Sequence, residues 1–185
     1  MTLDPAVSWL LRVALSLLFA RAAAHKLADV GAFRAAFEAY GVLPRRWAVP
    51  AAAALIALEC GIAAALWLPT VAPVAALGAA ALLAAYGGAM GLNLARGRRD
   101  LDCGCSGPAQ RQPIRWALVA RNAALALAAL ASALPAGARA LGWLDVPTIG
   151  AGAGVLALGY LAIDGLFAAA ARGAAWRARL ESAGA

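Results

Sequence analysis

Long apolar runs separated by short polar stretches set the pattern of this chain. Five such runs fall at about residues 7–24, 48–68, 72–94, 116–134 and 148–171. Each is near the ~20 residues a helix needs to cross a bilayer core. Asp4-Pro5 reads as a helix start, with the acid at the cap and proline in the first turn. Pro69-Thr70-Val71-Ala72-Pro73 predicts a tight turn between the second and third runs. Between His25 and Trp47 the pattern changes. Phe33, Phe37 and Tyr40 fall at i, i+4 and i+7, with Asp29, Arg34 and Glu38 on the other sides. This predicts a short amphipathic helix ended by Gly41 and Pro44, lying on the membrane surface or packed on the bundle as a connector. The expected fold is all-α, a polytopic membrane helix bundle forming one domain over residues 1–185, with a polar loop at 95–115.

Composition supports that reading. Apolar residues make up 64% of the chain and charged ones 14%, and the mean hydropathy is +0.78. Soluble domains are closer to half apolar and a quarter charged. Alanine and 19 glycines suit helices packed closely through small side chains, with Gly87/Gly91 and Gly150/Gly154 as expected seams. Arg12 inside the first run, with no basic start before it, argues against a cleavable signal peptide.

A net charge of +7 would suggest nucleic acid in a soluble chain. Here it reports topology instead. Lys26, Arg34, Arg45 and Arg46 lie in the first connection, Arg96, Arg98, Arg99, Arg111 and Arg115 in the 95–115 loop, and Arg172, Arg177 and Arg179 in the tail. The opposite connections hold only Arg139. The positive-inside rule places the chain in the cell membrane with the amino terminus outside, and the carboxyl terminus and the 95–115 loop in the cytoplasm.

Candidate chemistry centres on Leu101-Asp102-Cys103-Gly104-Cys105-Ser106-Gly107-Pro108. Thiols one residue apart can close a small strained disulfide, and strained disulfides are the labile, catalytic kind. The same spacing suits a thiophilic metal ion, and the bland reading is two small residues in a turn. No structural zinc is expected, because no second Cys/His cluster accompanies the pair and His25 is the only histidine. Cys60 lies mid-span beside Glu59 and reads as a buried, inert thiol. Ionisable residues within spans default to functional or pairing roles. Depth matching pairs Arg121 with Asp164 beneath the Cys loop, and Arg12 with Glu59 in the other half. Asn122 reads as an interhelical hydrogen bonder. Arg21, His25 and Asp29 share one helical stripe, where His25 is either interfacial or a proton carrier.

These residues resemble a family. Arg96-Gly97-Arg98 leading into Asp102-Cys103-Gly104-Cys105-Ser106-Gly107, followed by Arg121-Asn122, is similar to the MauE branch of DoxX-like membrane proteins, named for methylamine utilisation. Family members usually carry an aromatic residue where this chain has Ser106. His25-Lys26-Leu27, Phe33 through Tyr40-Gly41-Val42-Leu43-Pro44, and Glu59-Cys60-Gly61 look like the shared opening. The resemblance covers most of residues 7–130. It implies a four-helix core with a fifth transmembrane helix, and thiol redox chemistry with a membrane-tethered or soluble thioredoxin-like partner that forms disulfides in an exported enzyme. The general plan is similar to vitamin K epoxide reductases and other quinone-linked thiol oxidases. Such oxidation belongs outside the cell, whereas the arginine count places the Cys loop inside. A turn dipping into the bundle would reconcile the two, as would transfer of reducing equivalents across the membrane.

The expectation is thus a thiol–disulfide oxidoreductase in which Cys103 and Cys105 exchange with a partner through a mixed disulfide. Arg96, Arg98 and Arg99 favour the thiolate, and Asp100 and Asp102 oppose it. The expected redox groups are the redox-active disulfide and, as an option, a quinone; electrons would leave to a membrane quinone or a second thiol pair. Gly104, Asp102, Arg121, Asp164, Glu59, Cys60 and His25 are supporting candidates. The alternative is a thiophilic metal-ion carrier using Cys103, Cys105 and Cys60. A third reading is an assembly factor that holds a partner in the membrane.

Overall fold

A computed structural model of the chain describes residues 2–103 and 112–183. Among the described residues all regular structure is helical, apart from isolated β-bridges at Leu3–Ala136 and Asp102–Pro113. The helices are α1 (Pro5–Ala28), α2 (Val30–Tyr40), α3 (Ala48–Ala65), α4 (Ala72–Ala95), α5 (Trp116–Ser132) and α6 (Asp145–Ala183). A single 3-10 turn, Arg45–Trp47, leads into α3. Helices α1, α3, α4 and α6 are long and apolar enough to cross a membrane, and α5, with 17 residues, is slightly shorter. The protein is therefore a multi-pass membrane protein with a four-helix core of α1, α3, α4 and α5. Helix α6 leans on α1 as the fifth long helix.

The first apolar run and the start of the polar connection form one helix. Nothing between Arg21 and Ala28 breaks the α pattern, so α1 continues four residues past the expected end at Ala24. Its start is as the sequence predicts: the Asp4 carboxylate accepts from the Ala6 N–H at 2.8 Å. Asp29 then restarts the chain by capping α2, accepting from the Ala32 N–H at 2.8 Å. Helix α2 ends at Gly41, whose φ of +62° favours a residue without Cβ. At the end of α4, Gly97 (φ +77°) turns the chain. The Arg98 N–H bonds back to the Asn93 carbonyl at 3.0 Å, closing the six-residue loop typical of such helix ends.

The core is built largely from small side chains. Ala75, Ala76, Ala79 and Ala80 of α4 meet Ala126 and Ala129 of α5, with Leu15, Phe19, Ile62, Leu66 and Leu83 filling between them. Bulky residues instead cover the outside, as with Val155, Leu158 and Leu166 of α6, each more than two-thirds exposed. Ser8, Ser16, Asn93, Asn122 and Ser132 are buried. Apolar outside and partly polar inside is the arrangement of a bundle solvated by lipid.

The expected Gly87/Gly91 seam exists: a Cβ added at Gly87 would sit 3.4 Å from the Asn122 Cβ, and one at Gly91 would face Trp116 and Val119 of α5. The expected Gly150/Gly154 seam does not, since a Cβ added at either would meet nothing within 4 Å beyond its own turn of helix. Gly152, between them, makes the close approach instead: a Cβ added there would lie 3.0 Å from Leu10 Cδ1 of α1. Residues two apart on a helix point about 200° apart, so choosing the wrong glycine reverses the face.

At one end of the bundle the amino terminus is tied to the α5–α6 connection. Leu3 exchanges backbone hydrogen bonds with Pro135 and Gly137 at 2.9 and 2.8 Å. Arg139 holds Asp4 at 2.9 Å and Asp145 at 2.8 Å. The other end carries α2 and the cysteine segment.

Candidate functional site

The cysteine segment is fixed by its own backbone. Cys103 N–H donates to the Gln112 carbonyl at 3.0 Å, and Ile114 N–H to the Leu101 carbonyl at 2.9 Å. This short antiparallel clasp closes the base of the loop and directs Cys103 inward. Cys103 is buried among Met90, Leu94, Ile114 and Leu118, with Tyr40, Tyr86 and Phe167 at the edge. Gly104 and Cys105 lie outside the described residues. Asp102 stays on the clasp, its carboxylate 3.5 Å from the Gln112 N–H.

From Cys103 a polar chain runs into the bundle. Its Sγ lies 3.5 Å from Gln112 Oε1, hydrogen-bond distance for a thiol donor. Gln112, fully buried, donates through Nε2 to the Asp164 backbone carbonyl at 3.5 Å. The Asp164 carboxylate accepts from Arg121 at 2.6 Å, and Arg21 approaches its other oxygen at 3.9 Å. Tyr160 lies under both guanidinium groups, 5.9 Å from Arg21 and 5.2 Å from Arg121. The expected Arg121–Asp164 pair is therefore present. Asn122, beside it, is spent within α5 on the Leu118 carbonyl at 2.8 Å.

The expected Arg12–Glu59 pair is not formed. Glu59, fully buried, takes its charge from Lys26, whose ammonium is 2.5 Å from Oε1. Tyr86 on α4 donates to the same oxygen at 2.8 Å. Arg12 instead lies over the Trp9 ring at 5.7 Å. The reason is the length of α1. Because the helix runs on to Ala28, Lys26 is inside the bundle rather than at the surface. The signal was present in the sequence as the lack of any glycine or proline between Arg21 and Asp29.

Cys60 also departs from expectation. It is exposed on the outer face of α3, because consecutive helical residues point about 100° apart and Glu59 takes the inward direction. Among the described residues no three His, Cys, Asp or Glu side chains cluster to hold a metal ion. His25 is half-buried in the last turns of α1, with Arg21, Asp164 and Lys26 as its charged neighbours.

Beside Cys103 the bundle opens into a cavity of about 430 Å³ between α2, α3 and α4. Phe33, Phe37 and Tyr40, the aromatic stripe of α2, form one wall, and Tyr86, Lys26 and Cys103 lie in the others. No α2 residue is buried, so the helix covers this cavity rather than joining the core. Arg98 holds α2 there, donating to the Ala39 carbonyl at 2.7 Å and to Asn93 Oδ1 at 2.9 Å. Neither the cavity nor the roles of Gln112, Lys26 and Tyr86 were legible from spacing.

With this geometry in place, comparison with known proteins is specific. The family described as methylamine utilisation protein MauE matches residues 4–135. The chain is similar to the methylamine utilization protein MauE of Paracoccus denitrificans, 40% identical over 135 residues, covering 73% of this chain and 72% of that one. It is 38% identical over 159 residues to the protein of the same name from Methylorubrum extorquens, covering 86% and 81%. A third, from Methylophilus methylotrophus, is 34% identical over 163 residues, covering 87% and 86%. No solved structure matches the chain significantly.

Proposed function

Because the chain belongs to the MauE family of methylamine utilisation proteins, we propose that it is a membrane thiol–disulfide oxidoreductase serving the maturation of an exported protein. The observation that carries this reading is the position of Cys103. One cysteine of the Cys-Gly-Cys pair is clasped into the bundle, in contact with Gln112 and on the wall of an apolar cavity. A cysteine with only a turn-forming role has no need of such placement.

The proposed exchange starts with the Cys103–Cys105 disulfide. A thiolate of a thioredoxin-like partner attacks one sulfur, forming a mixed disulfide and releasing the other as thiolate. The partner's second thiol then resolves the mixed disulfide. The partner leaves oxidised, and this chain holds a dithiol carrying two electrons and two protons. Both pass to an acceptor, a membrane quinone or a second thiol pair, and the disulfide re-forms. The arginine distribution favours placing the cysteine segment at the cytoplasmic side of the cell membrane. With the cysteine directed into the bundle, reducing equivalents from the outer side would have to reach it within the membrane.

Trapping in cells tests the proposal. Acid quenching and alkylation of cells carrying the wild-type chain should capture a partner in a mixed disulfide, identifiable by mass spectrometry under non-reducing conditions. Neither Cys103→Ser nor Cys105→Ser, which cannot hold the Cys103–Cys105 disulfide, should yield it or keep function. Cys60→Ser should spare function, since Cys60 faces outward. No trapped partner with the wild-type chain, or full function without both loop cysteines, would sink the redox reading in favour of an assembly factor. Metal copurification that depends on all three cysteines would favour the carrier.

A further inference from the structure

We propose that the cavity between α2, α3 and α4 is a binding site for the ring of a lipophilic quinone, with Lys26 as the hydrogen-bond donor to a ring carbonyl. This rests on the redox reading above and names its electron acceptor and where that acceptor sits.

The cavity has the size and walls for such a ligand. Its volume of about 430 Å³ falls within the ~300–1,000 Å³ of small-molecule sites. Phe33 and Phe37 meet at 6.3 Å between ring centroids on one side, and the Tyr86 ring lies on another. Flat aromatic walls suit a flat ring better than a flexible acyl chain. At the mouth, Val42, Leu43 and Leu58 are each about half exposed. In a membrane-embedded bundle such residues face lipid, so the entrance serves a ligand dissolved in the bilayer.

The inner wall adds polarity where an acyl chain would want none. Lys26 is 3% exposed, with its ammonium 5.2 Å from the Phe33 ring centroid and 5.3 Å from that of Tyr86. Glu59 balances its charge and takes one of its three N–H donors. A buried ammonium on an apolar cavity is costly unless its other donors are met, and a carbonyl oxygen entering the cavity meets one without adding charge. The second Glu59 oxygen, Oε2, is buried without a hydrogen-bond partner. Glu59 also borders a void of about 30 Å³ shared with Arg121 and Asn122, roughly the space of one water. Cys103 lies on the cavity wall, so the Cys103–Cys105 dithiol can close its S–S bond as its two electrons and two protons pass to the ring, which leaves as the quinol.

The test is direct binding to the full chain in nanodiscs of quinone-depleted lipid, read by native mass spectrometry. The probes are decylubiquinone and decylbenzene, which shares a ring and tail but lacks carbonyls. Saturable one-to-one binding of decylubiquinone, about tenfold or more tighter than decylbenzene, is expected. Lys26→Met/Glu59→Gln, which removes both charges together, should erase that preference. Ala85→Phe, at an exposed cavity-lining position, should weaken both ligands and remains decisive if the double variant does not fold. Cys60→Ser, on the outer face of α3 and away from the cavity, should bind the quinone as wild type does. Absence of saturable binding, equal affinity for the two probes, or unchanged affinity in Ala85→Phe would overturn the site. Partner trapping without quinone binding would remove this inference and leave the oxidoreductase standing. Quinone binding without trapping would do the reverse.

Discussion

Lys26 of α1 and Glu59 of α3 form a buried ion pair at 2.5 Å, with side chains 3% and 0% exposed. The pair ties α1 to α3 beside the cavity, and Tyr86 joins α4 to it through the same carboxylate oxygen. Removing one partner leaves a buried charge unmatched, so Lys26→Met alone should cost about 3–5 kcal/mol. Lys26→Met/Glu59→Gln should recover most of that, because the amide oxygen still accepts from Tyr86. Lys26→Met/Glu59→Leu should recover less, by the ~1–3 kcal/mol of an orphaned hydroxyl. Thermal unfolding in detergent ranks the three. Equal stability of the two double variants would show that the Tyr86 bond contributes nothing.

Arg121 and Asp164 should respond unequally to mutation. Arg121→Leu leaves Asp164 with Arg21, 3.9 Å away and able to swing closer from its 31% exposed position. Asp164→Leu takes from Arg121, only 10% exposed, the carboxylate it holds at 2.6 Å. The aspartate variant should therefore be the less stable, near the ~3–5 kcal/mol of a broken buried pair, and the arginine variant should fall below that range. Arg21→Leu/Arg121→Leu should restore the full cost. If the two single variants unfold together, Arg21 is no substitute.

The glycines of α6 give a packing test. Gly150→Ala adds a methyl where nothing lies within 4 Å and should stabilise the helix by up to ~1 kcal/mol. Gly152→Val drives its side chain into Leu10, already 3.0 Å from the added Cβ, and should cost about 1–3 kcal/mol through overpacking. Melting temperatures that move in the same direction would show that α6 does not pack on α1 through this face.

Asp4 predicts an acid limb in stability. The hydrogen bond from Arg139 holds its carboxyl below the ordinary 3.8, helped by the Ala6 N–H. A lowered folded value stabilises the fold above the unfolded value, and that contribution is lost as pH falls through the folded one. Arg139→Gln should thus flatten part of the decline in melting temperature below about pH 5, as pH falls past the unfolded value toward the lowered folded one. An unchanged profile would mean the exposed cluster adds nothing to stability, as many surface ion pairs do.

The sequence by itself determined the number of long helices, their membrane character and the Arg121–Asp164 pair. All three follow from quantities the chain carries locally: run length, hydropathy, and the depth of a charge along its own helix. The Cys-Gly-Cys segment was likewise legible, because scarce residues at close spacing need no fold to be noticed. Facing is different. Whether Glu59 or Cys60 points inward, whether Gly150 or Gly152 meets a neighbour, and whether Lys26 is at the surface or inside depend on helix rotation and on where α1 stops. A run of alanines leaves both weakly marked, because every side of the helix is nearly equally apolar and small. The close packing of α4 on α5, the reach of α1 to Ala28 and the lodging of α2 under Arg98 settled those rotations. Together they placed Lys26, Tyr86 and Cys103 around one cavity, although they come from three separate segments whose spacing in the chain carries no trace of that meeting.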